Sequence, residues 1–232
     1  AYALMTGSRR GPAFDSLFAV GNPLVGEADR KSFAALYRDA KLGPLPDAER
    51  EVREVGQLYA RAVVLSGAEA TESRTKSAAK KASVIHFATH ALFDDAHPMS
   101  SRLALARDEA GADDGWLEAR EIMNLDVDAD LVVLSACETA RGAIGGGEGV
   151  VGMAWSFFVA GARSTISTQW KVGTDSTAIL MIDFHRTLHR SAATVPLRKA
   201  RSLRDAQLRV LRDPRYRHPF HWAAFVILGD AS

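Results

Sequence analysis

Across 232 residues, 29 Lys+Arg balance 28 Asp+Glu, so no charge excess draws the chain to nucleic acid or to a membrane surface. A composition of 47% hydrophobic and 25% charged residues suits a globular protein and excludes a disordered one, and a single cysteine, Cys137, excludes an intrachain disulfide and a multi-cysteine zinc site. No apolar run reaches the length of a membrane span and no signal peptide is visible, so the expected location is the cytoplasm.

In chain order, SLFAVGNP (16–23) reads as a strand ending in a Gly-Asn-Pro turn. From Pro46, PDAEREVREVGQLYA carries acids in its first turn and sets Val52, Val55, Leu58 and Tyr59 on one helix face. AVVLSG (62–67) is a second strand. Thr71 is expected to N-cap a helix over 72–82, and SVIHFATH (83–90) is a third strand. In the polar stretch that follows, RLALA (102–106) and GWLEA (115–119) are expected to pair as a hairpin, and REIMNL (120–125) to form a short helix.

DLVVLSA (130–136) is a strand, followed by a glycine-rich loop at 141–149 that is expected to be mobile. An apolar helix over 150–160 then ends at Gly161 in the C′ position. STISTQWKV (164–172) is a strand whose edge is a candidate for strand addition by an extended substrate. Residues 175–190 have helix spacing, Pro196 suits the first turn of another helix, and HWAAFVILGD (221–230) is a last strand. Strands alternating with helices predict one α/β domain over 1–232 with a mostly parallel sheet covered on both faces, and with 92–128 as an insertion between two strands.

In such sheets functional groups gather outside the carboxyl ends of the strands. One such end carries His90 and another Cys137. If the two strands are neighbours, the imidazole can take the thiol proton and create a nucleophile. The bland alternative is a buried structural thiol beside a structural histidine.

HFATHALFDDAHPMSSRLALA, LVVLSACETA, GEGVVGMAWSFFVAGARSTISTQWKV and HPFHWAAFVILGD, with AVGNP and LPDAEREV ahead of them in order, resemble the CHAT domain family. The resemblance covers nearly the whole chain. It implies a three-layer α/β/α caspase-like fold, related to caspases, separases and gingipains, and a cysteine endopeptidase activity. His90 matches the histidine that closes the family's HFATHG, and Cys137 the nucleophile in SACETG. The 47 positions between them compare with about 50 in caspases. Glycines usual in these motifs are Ala91 and Ala140 here. The implied oxyanion hole is the backbone N–H of Ala91 with that of Cys137. No metal or organic cofactor is implied.

The partners implied are a protein substrate and, in the full-length chain, a tetratricopeptide-repeat or other sensor domain. A start at Ala1 instead of Met fits a piece of a longer chain. Candidate substrate-contacting residues are Ser135, Glu138, Trp170 and Asp175. Relatives that cut after basic residues often carry an acid two positions before the cysteine, where this chain has Ser135. Core packing for Trp170 and helix capping for Asp175 are the plainer readings.

Other motifs carry less. GEGVVG (147–152) fits a dinucleotide fingerprint but lies about ten residues past its strand, where that fingerprint needs the first glycine in the tight turn directly after the strand. His185 and His189 are spaced to share a metal but lack a third ligand, and a solvated helix face is the expectation. RKARSLR (198–204) is expected to be the exposed side of its helix, and His86 a hydrogen-bonded core residue or a support for the dyad. The rival from another class is a catalytically silent module that binds partners through the same cleft.

Overall fold

The computed structural model describes residues 14–27, 29–31, 42–108, 111, 113–135, 138–141, 148–191 and 195–232. Cys137 and residues 142–147 of the glycine-rich loop lie outside the described residues.

A six-stranded sheet forms the centre. It contains β1 (Ser16–Pro23), β2 (Arg61–Gly67), β3 (Val84–Ala88), β7 (Leu131–Leu134), β9 (Ser164–Thr168) and β10 (Phe225–Gly229), in the order β10-β9-β7-β3-β1-β2. All pairings are parallel except that of β10 with β9. β9 therefore lies between two neighbours and offers no edge to a substrate strand, contrary to the sequence expectation.

The inserted stretch supplies β4 (Ala91–Phe93), β5 (Arg102–Ala104) and β6 (Trp116–Glu118). With β8 (Glu138–Arg141) these make a second sheet in the order β6-β5-β4-β8. The expected hairpin is β5–β6, with Leu103 opposite Leu117.

Helices α1 (Pro46–Gly56), α2 (Glu72–Ala79), α3 (Ala119–Ile122), α4 (Glu148–Val159), α5 (Thr174–Arg190) and α6 (Arg198–Arg212) complete the chain. Alternation along the strands divides the core, since successive side chains point to opposite faces. Phe18, Ile85, Phe87 and Val132 meet Ala79 of α2 and Met153 and Phe157 of α4. Leu17, Val84, Ala88 and Val133 meet Val52 and Val55 of α1, Phe184 of α5 and Leu203 of α6. This is the expected three-layer α/β/α arrangement.

Local chemistry sets the ends. Thr71 accepts the Arg74 N–H as an N-cap, and Gly161 ends α4 at φ +114°. A Cβ on Gly21 would lie 2.5 Å from Val52 Cγ2, so glycine is what lets α1 lie against the end of β1.

Several boundaries differ from the expectation. Leu197 adopts left-handed φ 53°, so α6 starts at Arg198 and Pro196 falls before its first turn. A 3₁₀ turn at Pro219–His221 shortens the last strand. The basic run is only partly exposed: Arg198 is buried and donates to Leu188 O, and Lys199 is completely buried.

Candidate active site

The site forms where β1, β3, β7 and β9 end. β3 stops at Ala88 and the chain turns through Thr89 and His90 into β4. Thr89 Oγ1 donates to Ala104 O at 2.6 Å, and Ala104 N donates to His90 O at 2.9 Å, so β5 clamps this corner. The buried His90 ring donates from Nε2 to Gly43 O at 2.7 Å, which fixes the tautomer and leaves Nδ1 as the basic nitrogen. Burial lowers the His90 pKa, the Lys171 charge lowers it further, and the Gly43 carbonyl opposes both. The imidazole is thus a neutral base at neutral pH.

β7 runs parallel to β3, with Phe87 opposite Leu134. Beyond that pair Ser135 N donates to Phe87 O at 2.8 Å. The next described residue, Glu138, pairs in parallel with Ala91. Ala91 lies in β4 between Leu103 and Glu138 and is not at positive φ, so an alanine there is unstrained.

A cavity of about 250 Å³ opens beside His90. Its walls come from the loop at 43–45, from α1, from Ala88–His90, from Ser135 and from the stretch 171–177. Ser135 lines it with a buried Oγ that has no partner among the described residues, and Thr177 Oγ1 is in the same state. Of the other candidate contacts, Glu138 is described only by its backbone pairing. Trp170 and Asp175 do not line the cavity. Trp170 Nε1 donates to Phe220 O at 3.0 Å, and Asp175 accepts from Tyr216 O–H at 2.6 Å and from Ser176 N–H at 2.8 Å. The Tyr216 hydrogen bond is the main cause of a lowered Asp175 pKa.

Of the cavity-lining groups that escaped the sequence reading, Glu51 is the most deeply tied into the core. Glu51 of α1 is 2% exposed, and its Oε1 lies 2.7 Å from His86 Nε2. His86 Nδ1 lies 3.0 Å from His185 Nε2, and His185 Nδ1 lies 2.8 Å from Tyr59 Oη. His86 is thus the hydrogen-bonded core residue of the two readings. His185 is buried against it, and His189 packs edge-on to Tyr59 with centroids 4.4 Å apart, so these histidines do not form a solvated face. The signal was present in the sequence: Glu51 shares the stripe of Val55 and Tyr59, and His185 that of Phe184 and Leu188.

Glu72, Asp113 and Glu121 converge as metal ligands would, but Lys76 Nζ lies 2.7, 2.9 and 3.0 Å from them and occupies the centre.

The family model of the CHAT domain matches residues 5–230. The chain belongs to the CHAT domain family. Tetratricopeptide repeat protein 28 of Homo sapiens is 26% identical over 219 residues, covering 81% of this chain and 8% of that protein. Its Mus musculus counterpart is also 26% identical over 219 residues, with 81% and 9% covered. This CHAT domain therefore spans less than a tenth of these curated relatives.

Among solved structures, separase in the Saccharomyces cerevisiae separase–securin complex superposes with a TM-score of 0.54 at 10% identity, over 94% of this chain and 12% of that one. The Arg-specific cysteine proteinase gingipain R gives 0.56 at 8%, over 94% and 47%. The pro- and mature domain complex from Porphyromonas gingivalis gives 0.56 at 8%, over 94% and 48%. At these identities the likeness is one of fold, and the fold is caspase-like. No helix among the described residues is long and apolar enough to cross a membrane.

Proposed function

We propose that this CHAT domain is a cysteine endopeptidase that cuts a specific protein partner, with Cys137 as nucleophile and His90 as general base. The observation that carries this reading is the pairing on either side of the dyad. Ser135 and Glu138 flank Cys137, and they are held against Phe87 and Ala91, which flank His90. Neighbouring strands lie about 4.8 Å apart, within reach of a thiol and an imidazole.

In the proposed reaction His90 Nδ1 takes the thiol proton, and the Cys137 sulfur attacks the scissile carbonyl. The backbone N–H groups of Cys137 and Ala91 meet the oxyanion. His90 then hands its proton to the leaving amine, and water hydrolyses the thioester. Ser135 contacts the substrate from the cavity wall, while Glu138, Trp170 and Asp175 border the strand ends around it. The relatives' name, and the small share of them that this chain covers, support its working as part of a longer chain with a tetratricopeptide-repeat sensor.

With one cysteine, intact mass reports alkylation at Cys137 alone. Iodoacetamide should label the chain at pH 7 on the order of tenfold faster than His90→Ala. Labelling that rises identically in both proteins near the free-thiol pKa of about 8.5 overturns the dyad and leaves the silent binding module.

A further inference from the structure

The buried chain Tyr59–His185–His86–Glu51 has a direction. Tyr59 is buried, its phenol is pushed well above the ordinary range by burial, and its O–H needs an acceptor. His185 Nδ1 is that acceptor. Burial, with His86 and His189 adding to it, drives the His185 pKa well down, so the ring is neutral and carries its one proton on Nε2. That N–H donates to His86 Nδ1, which leaves His86 Nε2–H to donate to Glu51 Oε1. The reverse direction would need a protonated Glu51 and would leave the Tyr59 proton without an acceptor. Glu51 Oε1 is therefore the acceptor at the end of the chain. Among the described residues no Lys or Arg pairs with it, so an ionised Glu51 calls for a cation from outside the fold, since a buried charge without a counter-charge is costly.

Glu51 lines the cavity beside His90. Ser135 Oγ and Thr177 Oγ1 line the same cavity, more than nine-tenths buried and without partners among the described residues. Ala48, Ala88 and Val172 supply apolar wall. Lys171 also lines the cavity; it is exposed, so solvent weakens its charge, although that charge still acts on His90. A cavity lined by apolar wall, a carboxyl group and two unpartnered hydroxyls suits a long stem tipped with N–H donors.

We propose that this cavity is a specificity pocket for a lysine or arginine side chain, with Glu51 as its acidic group and Ser135 and Thr177 as its neutral hydrogen-bonding partners. The inference rests on the peptidase reading for its place beside the scissile bond. It also assigns the acidic role to a residue of α1 instead of the position two before the cysteine.

The test compares acetyl-lysyl and acetyl-norleucyl acyloxymethyl ketones, which differ only by the terminal ammonium, as labels of Cys137 read by intact mass. The lysyl probe should react on the order of tenfold faster, as expected for a charge-assisted hydrogen bond. Glu51→Gln should erase that ratio, and Ser135→Ala with Thr177→Val should reduce it. Equal rates for the two probes, or a ratio that survives both sets of changes, overturn the pocket. If Glu51→Gln does not fold, the hydroxyl variants decide. If neither probe outpaces its reaction with His90→Ala, the dyad has failed but the pocket has not. Chemical-shift titration with N-acetyl-lysine methylamide against its norleucine counterpart then decides, and equal binding of the two rejects the proposal.

Discussion

The two ends of the central sheet differ in what their buried polar groups face. At the end where β7 and β9 begin and β10 finishes, Lys199 is completely buried, and its Nζ donates to Asp230 O at 2.8 Å, Ser164 Oγ at 3.2 Å and Asp130 O at 3.3 Å. Ser164 Oγ in turn donates to Asp130 O at 2.7 Å, and Arg163 lies 2.8 Å from Asp130 Oδ1. Burial lowers the Lys199 pKa, while Asp230 and Asp130 favour its charge. At the carboxyl end the unpartnered Ser135 and Thr177 hydroxyls line a cavity together with the Glu51 carboxyl group, whereas the unpartnered Thr165 hydroxyl near the other end does not. A satisfied network stabilises and specifies the fold, whereas unsatisfied groups beside a cavity are positioned for a ligand.

The sharpest way to break this comparison is Lys199→Met. It leaves Asp230 O and Ser164 Oγ without the Lys199 donor, while Asp130 O keeps the Ser164 hydroxyl, and should cost about 3 kcal/mol in urea unfolding. A loss below about 1 kcal/mol would mean that the closed end is no more tightly tied than the open one.

Lowering the pH strikes both ends of the α1–β3–α5 contact. His185 and His90 are held neutral in the fold, so below the ordinary histidine pKa of about 6.5 the unfolded chain binds more protons than the native one. Their contribution is present above that pH and is lost as pH falls, by up to about 1.4 kcal/mol per unit for each group. Urea midpoints at pH 7.5 and 5.5 should show the drop, and His185→Gln should shrink it. Greater stability at pH 5.5 would contradict neutral burial.

The smallest effect is expected at the open end. Thr177→Val keeps the shape and removes a hydroxyl that has no partner among the described residues. Stability should change by less than about 0.5 kcal/mol or rise slightly. A loss above about 1 kcal/mol would show that the hydroxyl is engaged without ligand.

Much of the scaffold was legible because its signals are local. Alternation in 83–90 set Ile85 and Phe87 against Val84 and Ala88, and Thr71 marked a helix start. The order of motifs around His90 and Cys137 carried the family. Short elements were harder to read: β4 and β8 have three and four residues, too few to show a period, and they are strands because they pair with each other. Leu197 ended one expectation by taking a left-handed turn that no local pattern announces.

By itself the sequence determined the layered α/β class, the CHAT family and the position of His90 at the end of its strand, since each rests on periodicity or on motif order. Only the tertiary structure decided which charges are buried and what answers them. Glu51, His86, His185 and Tyr59 meet across separations of 35, 99 and 126 residues, and Lys199 reaches Asp130 across 69. A charged side chain reads the same in sequence whether it faces water or the core. Its partner, and therefore its energy and its role, exist only once distant segments have packed together.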